Sequence, residues 1–219
     1  MIKGIIFDLD GTILNTIEDI RDSVNVIFRK YNLPEVSIEK TKTGVGMGTD
    51  FLIDKTVPEG TSEQMKEFLG NEYATYYKEH CEIKTGPFEG ILDLLKTLEE
   101  KGIKVAVNSN KKQLILEGVL KKYFPGINFL GIYGLREGFP LKPDPAGANE
   151  LVEIMGLEKS EVLYVGDSEI DMDTAHNANI KVVGCLWGFR NLQVLQEHKA
   201  DYIISNPKEI LDLLWKKYL

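Results

Sequence analysis

The chain has 219 residues, 43% hydrophobic and 27% charged, enough for one large domain or for a core domain with a smaller companion. Its net charge of −8, without any basic run of five residues, argues against nucleic acid as a partner. No apolar run approaches membrane-spanning length, and no basic region followed by an apolar stretch opens the chain. A cytoplasmic protein with no membrane partner is therefore the expectation. Cys81 and Cys185 stand far apart, with no Cys-x-x-Cys spacing, and His80, His176 and His198 match no metal-ligand pattern.

The apolar run Ile2 to Phe7 reads as a strand, followed at once by Asp8-Leu9-Asp10-Gly11-Thr12. The period then changes. Ile17, Ile20, Val24, Ile27, Phe28 and Tyr31 fall at helical spacing, with Thr16 and Asp19 as a helix start and Leu33-Pro34 as its stop. Thr43 to Thr49 is a glycine-rich turn. Thr61 and Gln64 form a capping box for a helix whose apolar positions are Met65, Phe68, Leu69, Tyr73, Tyr76 and Tyr77. Residues 15 to 85 thus read as helical.

Gly86-Pro87 marks a boundary, and beyond it helices and strands alternate. Ile91, Leu94, Leu95 and Leu98 form a helical stripe that Gly102 closes. Ile103 to Val107 is a strand, Leu114 to Leu120 a helix, and Phe129 to Tyr133 a short strand. Pro145 suits the first turn of a helix capped by Asp144 and ended by Gly156. Val162 to Val165 is a strand, Asp171 to Ala178 a helix, Ile180 to Leu186 a strand, and Tyr202 to Ile204 the last strand. Pro207 opens a final helix with the stripe Ile210, Leu213, Leu214 and Tyr218. This rhythm predicts an α/β fold, a doubly wound parallel sheet formed by residues 1–14 and 86–219, with residues 15–85 inserted as a small helical domain.

Polar groups follow the strands. The first strand offers Asp8 and Asp10, the second leads into Asn108-Ser109-Asn110-Lys111, a third region reads Leu141-Lys142-Pro143-Asp144, and a fourth Gly166-Asp167-Ser168-Glu169-Ile170-Asp171. In a parallel sheet such strand ends converge on one edge. Carboxylates with a lysine and a hydroxyl suit a hard cation together with a phosphoryl group. Each residue also has a plainer reading. Asp167 would cap the following helix, Asp171 would be a helix-start acid, and Asp144 an N-cap. Ser109 would be a turn serine and Lys142 a solvated lysine. Arg190 would bind a substrate carboxylate or lie exposed. Lys42 with Gly44 to Gly48 would form a loop covering the site, or a plain helix–helix turn.

Asp8-Leu9-Asp10-Gly11-Thr12, Ser109-Asn110, Lys142-Pro143 and Gly166-Asp167 with Asp171 resemble the four ordered motifs of the haloacid dehalogenase superfamily of phosphohydrolases. The helical insertion sits where that family's cap sits. Tyr123-Phe124-Pro125-Gly126, Leu163 to Ser168 and Trp187-Gly188-Phe189-Arg190 are similar to phosphoglycolate phosphatases. The resemblance implies that Asp8 is the nucleophile and Asp10 the general acid and base. It implies Mg²⁺ as cofactor, held by Asp8, the Asp10 backbone carbonyl and Asp167, with Asp171 and Thr12 supporting. Ser109, the Asn110 N–H and Lys142 would bind the phosphate. The substrate would be a small phosphorylated metabolite, phosphoglycolate first, acted on by a monomer or homodimer. One departure is Asn15-Thr16, where the family commonly has an acid and a serine.

A phosphosugar mutase of β-phosphoglucomutase type shares this core, but the glycine turn lacks an arginine for a second phosphate. Dehalogenase chemistry needs no acid at position 10. A mere phosphate-binding module has no use for a second, proton-transferring carboxylate.

Overall fold

The computed structural model describes residues 1–214, so Tyr218 of the final stripe lies outside the described residues. The chain divides into two compact units, one of residues 1–14 with the chain from Pro87 onward, the other Asn15–Gly86. Two-residue strands, β2 (Leu14–Asn15) and β3 (Gly86–Pro87), carry the chain out of the first unit and back.

The first unit is built on a six-stranded sheet. Its strands are β1 (Gly4–Phe7), β4 (Lys104–Lys112), β5 (Phe129–Leu135), β6 (Val162–Gly166), β7 (Lys181–Cys185) and β8 (Tyr202–Ile204). They lie in the order β5-β4-β1-β6-β7-β8, all parallel. β1 is central, and all four of its residues are buried because helices cover both faces of such a sheet. Phe7 is level with Val107 on one side and Val165 on the other, so the three polar segments that follow start side by side. The winding direction reverses between β1 and β6, which opens a crevice beyond their carboxyl ends.

Helices α5 (Ile91–Glu100), α6 (Gln113–Tyr123), α7 (Ala146–Met155), α8 (Glu169–Ala178), α9 (Leu192–Glu197) and α10 (Ile210–Leu213) link these strands or close the chain. Three of them hand over to strands by one device. Gly102, Gly156 and Asn179 take left-handed φ values of 70°, 61° and 56°. The next N–H in each case turns back onto the helix, Ile103 to Leu98 O, Leu157 to Val152 O and Ile180 to Ala175 O. Leu151, Val152 and Met155 of α7 and Met172 and Ala175 of α8 pack on Ile6, Ala106, Tyr164 and Val182 of the sheet. Pro145, expected inside the first turn, is instead the residue before it, and Asp144 is not the cap: its carboxylate accepts the Ala146 N–H at 2.9 Å in a turn leading into the helix.

The strand expected to end at Val107 runs on to Lys112. Its last residues are polar, yet Asn108, Ser109 and Asn110 are buried, and the pairing with β5 becomes irregular there. Backbone pairing needs no apolar side chain, so the hydrophobic pattern stops before the strand does. α8 starts at Glu169 rather than Asp171, for a reason given below. α9 was not foreseen. Its Asn191 cap accepts the Val194 N–H, but the six-residue helix offers only Leu195 to the core.

The second unit holds α1 (Ile17–Lys30), α2 (Ile38–Lys42), α3 (Gly48–Thr56) and α4 (Glu63–His80). α1 has the expected apolar stripe, but Thr16 makes no side-chain cap. Asp19 does not cap its own helix either. Its buried carboxylate accepts the N–H groups of Ile83, Lys84 and Thr85 at 2.8–3.0 Å. Asn25 pairs both ways with the backbone of Val36 and fixes the turn after α1. The Thr43 to Thr49 stretch is a turn joining α2 to α3, and α3 begins inside it at Gly48. α4 is capped one residue later than expected. Ser62 accepts the Met65 N–H, while the Thr61 hydroxyl donates to Pro58 O. Among the described residues no helix is long and apolar enough to cross a membrane.

Candidate active site

Asp8 extends the β1 ladder by one step, its N–H donating to Val165 O at 2.9 Å. Its carboxylate therefore emerges between the ends of β1 and β6. Directly after it the chain wraps around Leu9, whose carbonyl accepts the N–H groups of Thr12, Ile13 and Leu14. Gly11 permits this wrap with φ of 91°, and a Cβ there would overlap the Asp167 carboxylate.

Lys142 stands at the centre of the acids. Its Nζ donates to Asp8 Oδ1 and to Asp171 Oδ1, each at 2.7 Å. The lysine is fully enclosed, and the two carboxylates raise its affinity for the proton against the opposing effect of burial. Asn110 holds the Lys142 backbone from both sides, accepting its N–H at 2.8 Å and donating to its carbonyl at 3.1 Å. The Asn110 side chain is thus a clamp on the lysine's loop, a role its place beside Ser109 did not reveal.

Asp171 is the third residue of α8, and its Oδ2 accepts from the Ser168 hydroxyl and from the N–H groups of Asp167 and Ser168. Ser168 and Asp171 close a capping box, which explains the earlier helix start. Ser168, not Asp167, is the cap. That leaves the Asp167 carboxylate for other partners. Thr12 Oγ1 donates to its Oδ1 at 3.2 Å, and the Phe189 N–H to its Oδ2 at 2.7 Å. Trp187 in turn donates from Nε1 to Thr12 O at 2.9 Å. Arg190 pairs with Glu169 at 2.8 Å and 3.1 Å, so it is neither a bare surface arginine nor reserved for a ligand.

Asp10 points elsewhere. Lys111 Nζ lies 2.9 Å from its Oδ1 and 3.1 Å from its Oδ2. Ser109 is buried near the end of β4, and its Oγ accepts the Lys111 N–H at 3.2 Å. Lys111 stands in the polar segment after the second strand but received no role from the sequence, because a lysine at a strand end usually faces solvent. Gly188 and the Phe189 N–H escaped as well, since backbone donors leave no mark in composition. The two cysteines are buried free thiols; burial, reinforced by the nearby Asp167 charge, pushes the Cys185 thiol well above its ordinary value.

Oxygens of Asp8, Asp167 and Asp171 all lie within 4.8 Å of one another. Burial, with Asp171 reinforcing it against the pull of Lys142, pushes the Asp8 carboxyl up to about 7. Burial and the charges of Asp171 and Asp8 hold the Asp167 carboxyl well above its usual range. Were Asp8, Asp10, Asp167 and Asp171 all ionised, they would carry two negative charges more than the Lys111 and Lys142 ammonium groups balance, and the raised carboxyls of Asp8 and Asp167 show how burial resists that excess. A divalent cation on hard oxygen ligands fits that excess in both charge and chemistry.

The haloacid dehalogenase-like hydrolase family matches residues 5–185. The phosphoglycolate phosphatase of Pasteurella multocida is 31% identical, with 97% of this chain and 98% of that protein covered. The phosphoglycolate phosphatase of Mannheimia succiniciproducens is 30% identical over the same shares of the two chains. A crystal structure from Lactobacillus delbrueckii subsp. bulgaricus is similar with a TM-score of 0.92 and 32% identity, covering 98% of this chain and 99% of that one. The four ordered motifs, the acid cluster and these likenesses agree: the chain belongs to the haloacid dehalogenase-like hydrolases, among their phosphoglycolate phosphatase-like members.

Proposed function

We propose that the protein is a Mg²⁺-dependent phosphatase of a small phosphate monoester, phosphoglycolate first, acting through an aspartyl-phosphate. The observation that carries this reading is the convergence of Asp8, Asp167 and Asp171, whose oxygens lie within 4.8 Å of one another, with Lys142 paired to Asp8 and Asp171. Asp8 and Asp167 with the Asp10 backbone carbonyl would hold the cation, and Asp171 would fix Lys142 and the start of α8. When bound, the cation lets an anionic nucleophile approach an anionic phosphate.

The chain's own residues divide the rest. A carboxylate oxygen of Asp8 attacks phosphorus as the ester P–O bond breaks. Asp10 gives its proton to the departing oxygen, then takes one from the water that attacks phosphorus and releases Asp8. Lys142 and Ser109 stabilise negative charge on the transferring group, with Lys142 held in place by Asn110. The helical unit Asn15–Gly86 would serve as a cap that excludes bulk water. Phosphoglycolate leads because the relatives named for that activity align with 97% of this chain.

Hydrolysis of an aryl phosphate tests the reading. It is expected to require Mg²⁺ and to vanish in Asp8→Asn. Turnover without metal, or an active variant, would overturn it. Interconversion of glucose 1- and 6-phosphates faster than phosphate release would replace phosphatase with mutase. A panel of phosphorylated metabolites ranked by kcat/KM identifies the substrate.

A further inference from the structure

The site contains two buried ammonium groups, and they are not equivalent. Lys142 lies between Asp8 and Asp171, on the side of the nucleophile. Lys111 lies on Asp10, its Nζ straddling both carboxylate oxygens at 2.9 Å and 3.1 Å. Its side chain is only 5% exposed. A lysine that merely balanced a surface acid would keep its charged head in water, because desolvating an ammonium is costly and exposed pairs contribute little. Its backbone is fixed as well, since its N–H donates to Ser109 Oγ. Lys111 therefore spans from the phosphate-facing serine to the proton-transferring acid.

We infer that Lys111 is a specificity-determining residue that binds a carboxylate on the leaving group, and so selects phosphate esters of small 2-hydroxy carboxylates over esters of neutral alcohols. The inference rests on the phosphatase reading, in which Asp10 gives its proton to the departing oxygen. That oxygen must come within hydrogen-bond reach of Asp10, about 2.6–3.2 Å. The Lys111 ammonium touches the same carboxylate, so it stands beside the leaving group. In a 2-hydroxy carboxylate the anion is one carbon removed from the leaving oxygen, which suits an ammonium placed there. A neutral alcohol offers it nothing, and Lys142 is committed to the other side of phosphorus. The ammonium keeps Asp10 with either ester, so the discrimination comes from the additional charge-assisted contact that only the carboxylate ester makes.

The test compares phosphoglycolate with 2-hydroxyethyl phosphate, which carries a hydroxymethyl group in place of the carboxylate. Wild-type enzyme with Mg²⁺ is expected to prefer phosphoglycolate in kcat/KM by about tenfold or more. Lys111→Met keeps the stem and removes the charge, and is expected to abolish that preference. Lys111→Arg is expected to retain most of it. A loss in Lys111→Met that is equal for both substrates would overturn the inference, leaving Lys111 as a support for Asp10 alone. So would a wild type that hydrolyses both esters equally, although the phosphatase reading would survive. Failure to hydrolyse any phosphate ester would instead overturn the phosphatase reading itself. Should Lys111→Met not fold, product inhibition of the wild type decides. Glycolate is expected to compete with aryl phosphate where ethylene glycol does not, and equal inhibition by the two would overturn the inference.

Discussion

Gly188 lies so close against Asp167 that a Cβ at that position would overlap the side chain of the acid. The next residue, Phe189, gives its N–H to Asp167 Oδ2. The loop after β7 thus braces a proposed metal ligand from behind, and only glycine lets the backbone come near enough. Outer contacts of this kind change metal affinity by roughly 10–100-fold when lost. Gly188→Ala is expected to weaken Mg²⁺ binding within that range by isothermal titration calorimetry, with the fold intact by circular dichroism. Unchanged affinity would mean that the loop braces nothing.

Asn110 leads to a second expectation. Its two hydrogen bonds to the Lys142 backbone tie that loop to β4. Asn110→Ala removes both and should cost about 1–2 kcal/mol of stability. A larger effect is expected on kcat, about tenfold or more, because small displacements of a catalytic group are expensive. Denaturant titration and steady-state kinetics on one preparation separate the two. A kcat equal to wild type would show that Lys142 keeps its place without the clamp.

The Asp8 carboxyl, raised from an ordinary 3.8 to about 7, makes stability depend on pH and metal together. Between those values the folded chain keeps a proton that the unfolded chain has released. The contribution of this group is therefore complete below the unfolded value and is lost as pH rises toward about 7. A bound cation favours the ionised form and reverses the loss. The rise in Tm on adding Mg²⁺ should be larger at about pH 8 than at about pH 5.5. Equal rises at the two would contradict the assignment of Asp8 to the metal.

Asp19 carries the fourth expectation. It sits in the first turn of α1 and satisfies three backbone donors at 83–85. Asp19→Ala strands those donors and should destabilise the protein by about 2–4 kcal/mol. Chemical unfolding measures it, and a loss below about 0.5 kcal/mol would leave the donors solvated.

Legibility in the sequence followed the physics of each signal. The sheet was readable because β1 and β6 are short apolar runs flanked by turn residues, and α5 and α7 because glycine stops follow clear stripes. The convergence of Asp8 with Asp167 and Asp171 was readable because β1 and β6 are parallel neighbours that end on one edge, whereas Lys142 reaches them from a loop beyond β5 and was legible only through the resemblance. α3 was not, since it begins at a glycine, inside a stretch whose composition reads as a turn. Ser62 displaced Thr61 as a cap because both residue types suit the position and only local geometry chooses between them. Asp171 has two readings in the sequence, a helix-start acid or a support for the site, and the structure gives it both, since it engages Ser168 at the start of its helix and Lys142 from a distant loop. Lys111 is the plainest case. Nothing in a one-dimensional pattern separates a solvated lysine from one pressed against Asp10.

The Asp19 contacts have one more consequence, an evolutionary one. By joining the first turn of α1 to residues 83–85, they bring the entry and exit of the unit Asn15–Gly86 together within that unit. A segment whose two ends meet can be exchanged for another of similar span without stretching its host. The residues proposed to break the phosphate ester all lie in the other unit. Replacement of the insert could therefore change which molecules are admitted while the reaction itself is inherited intact.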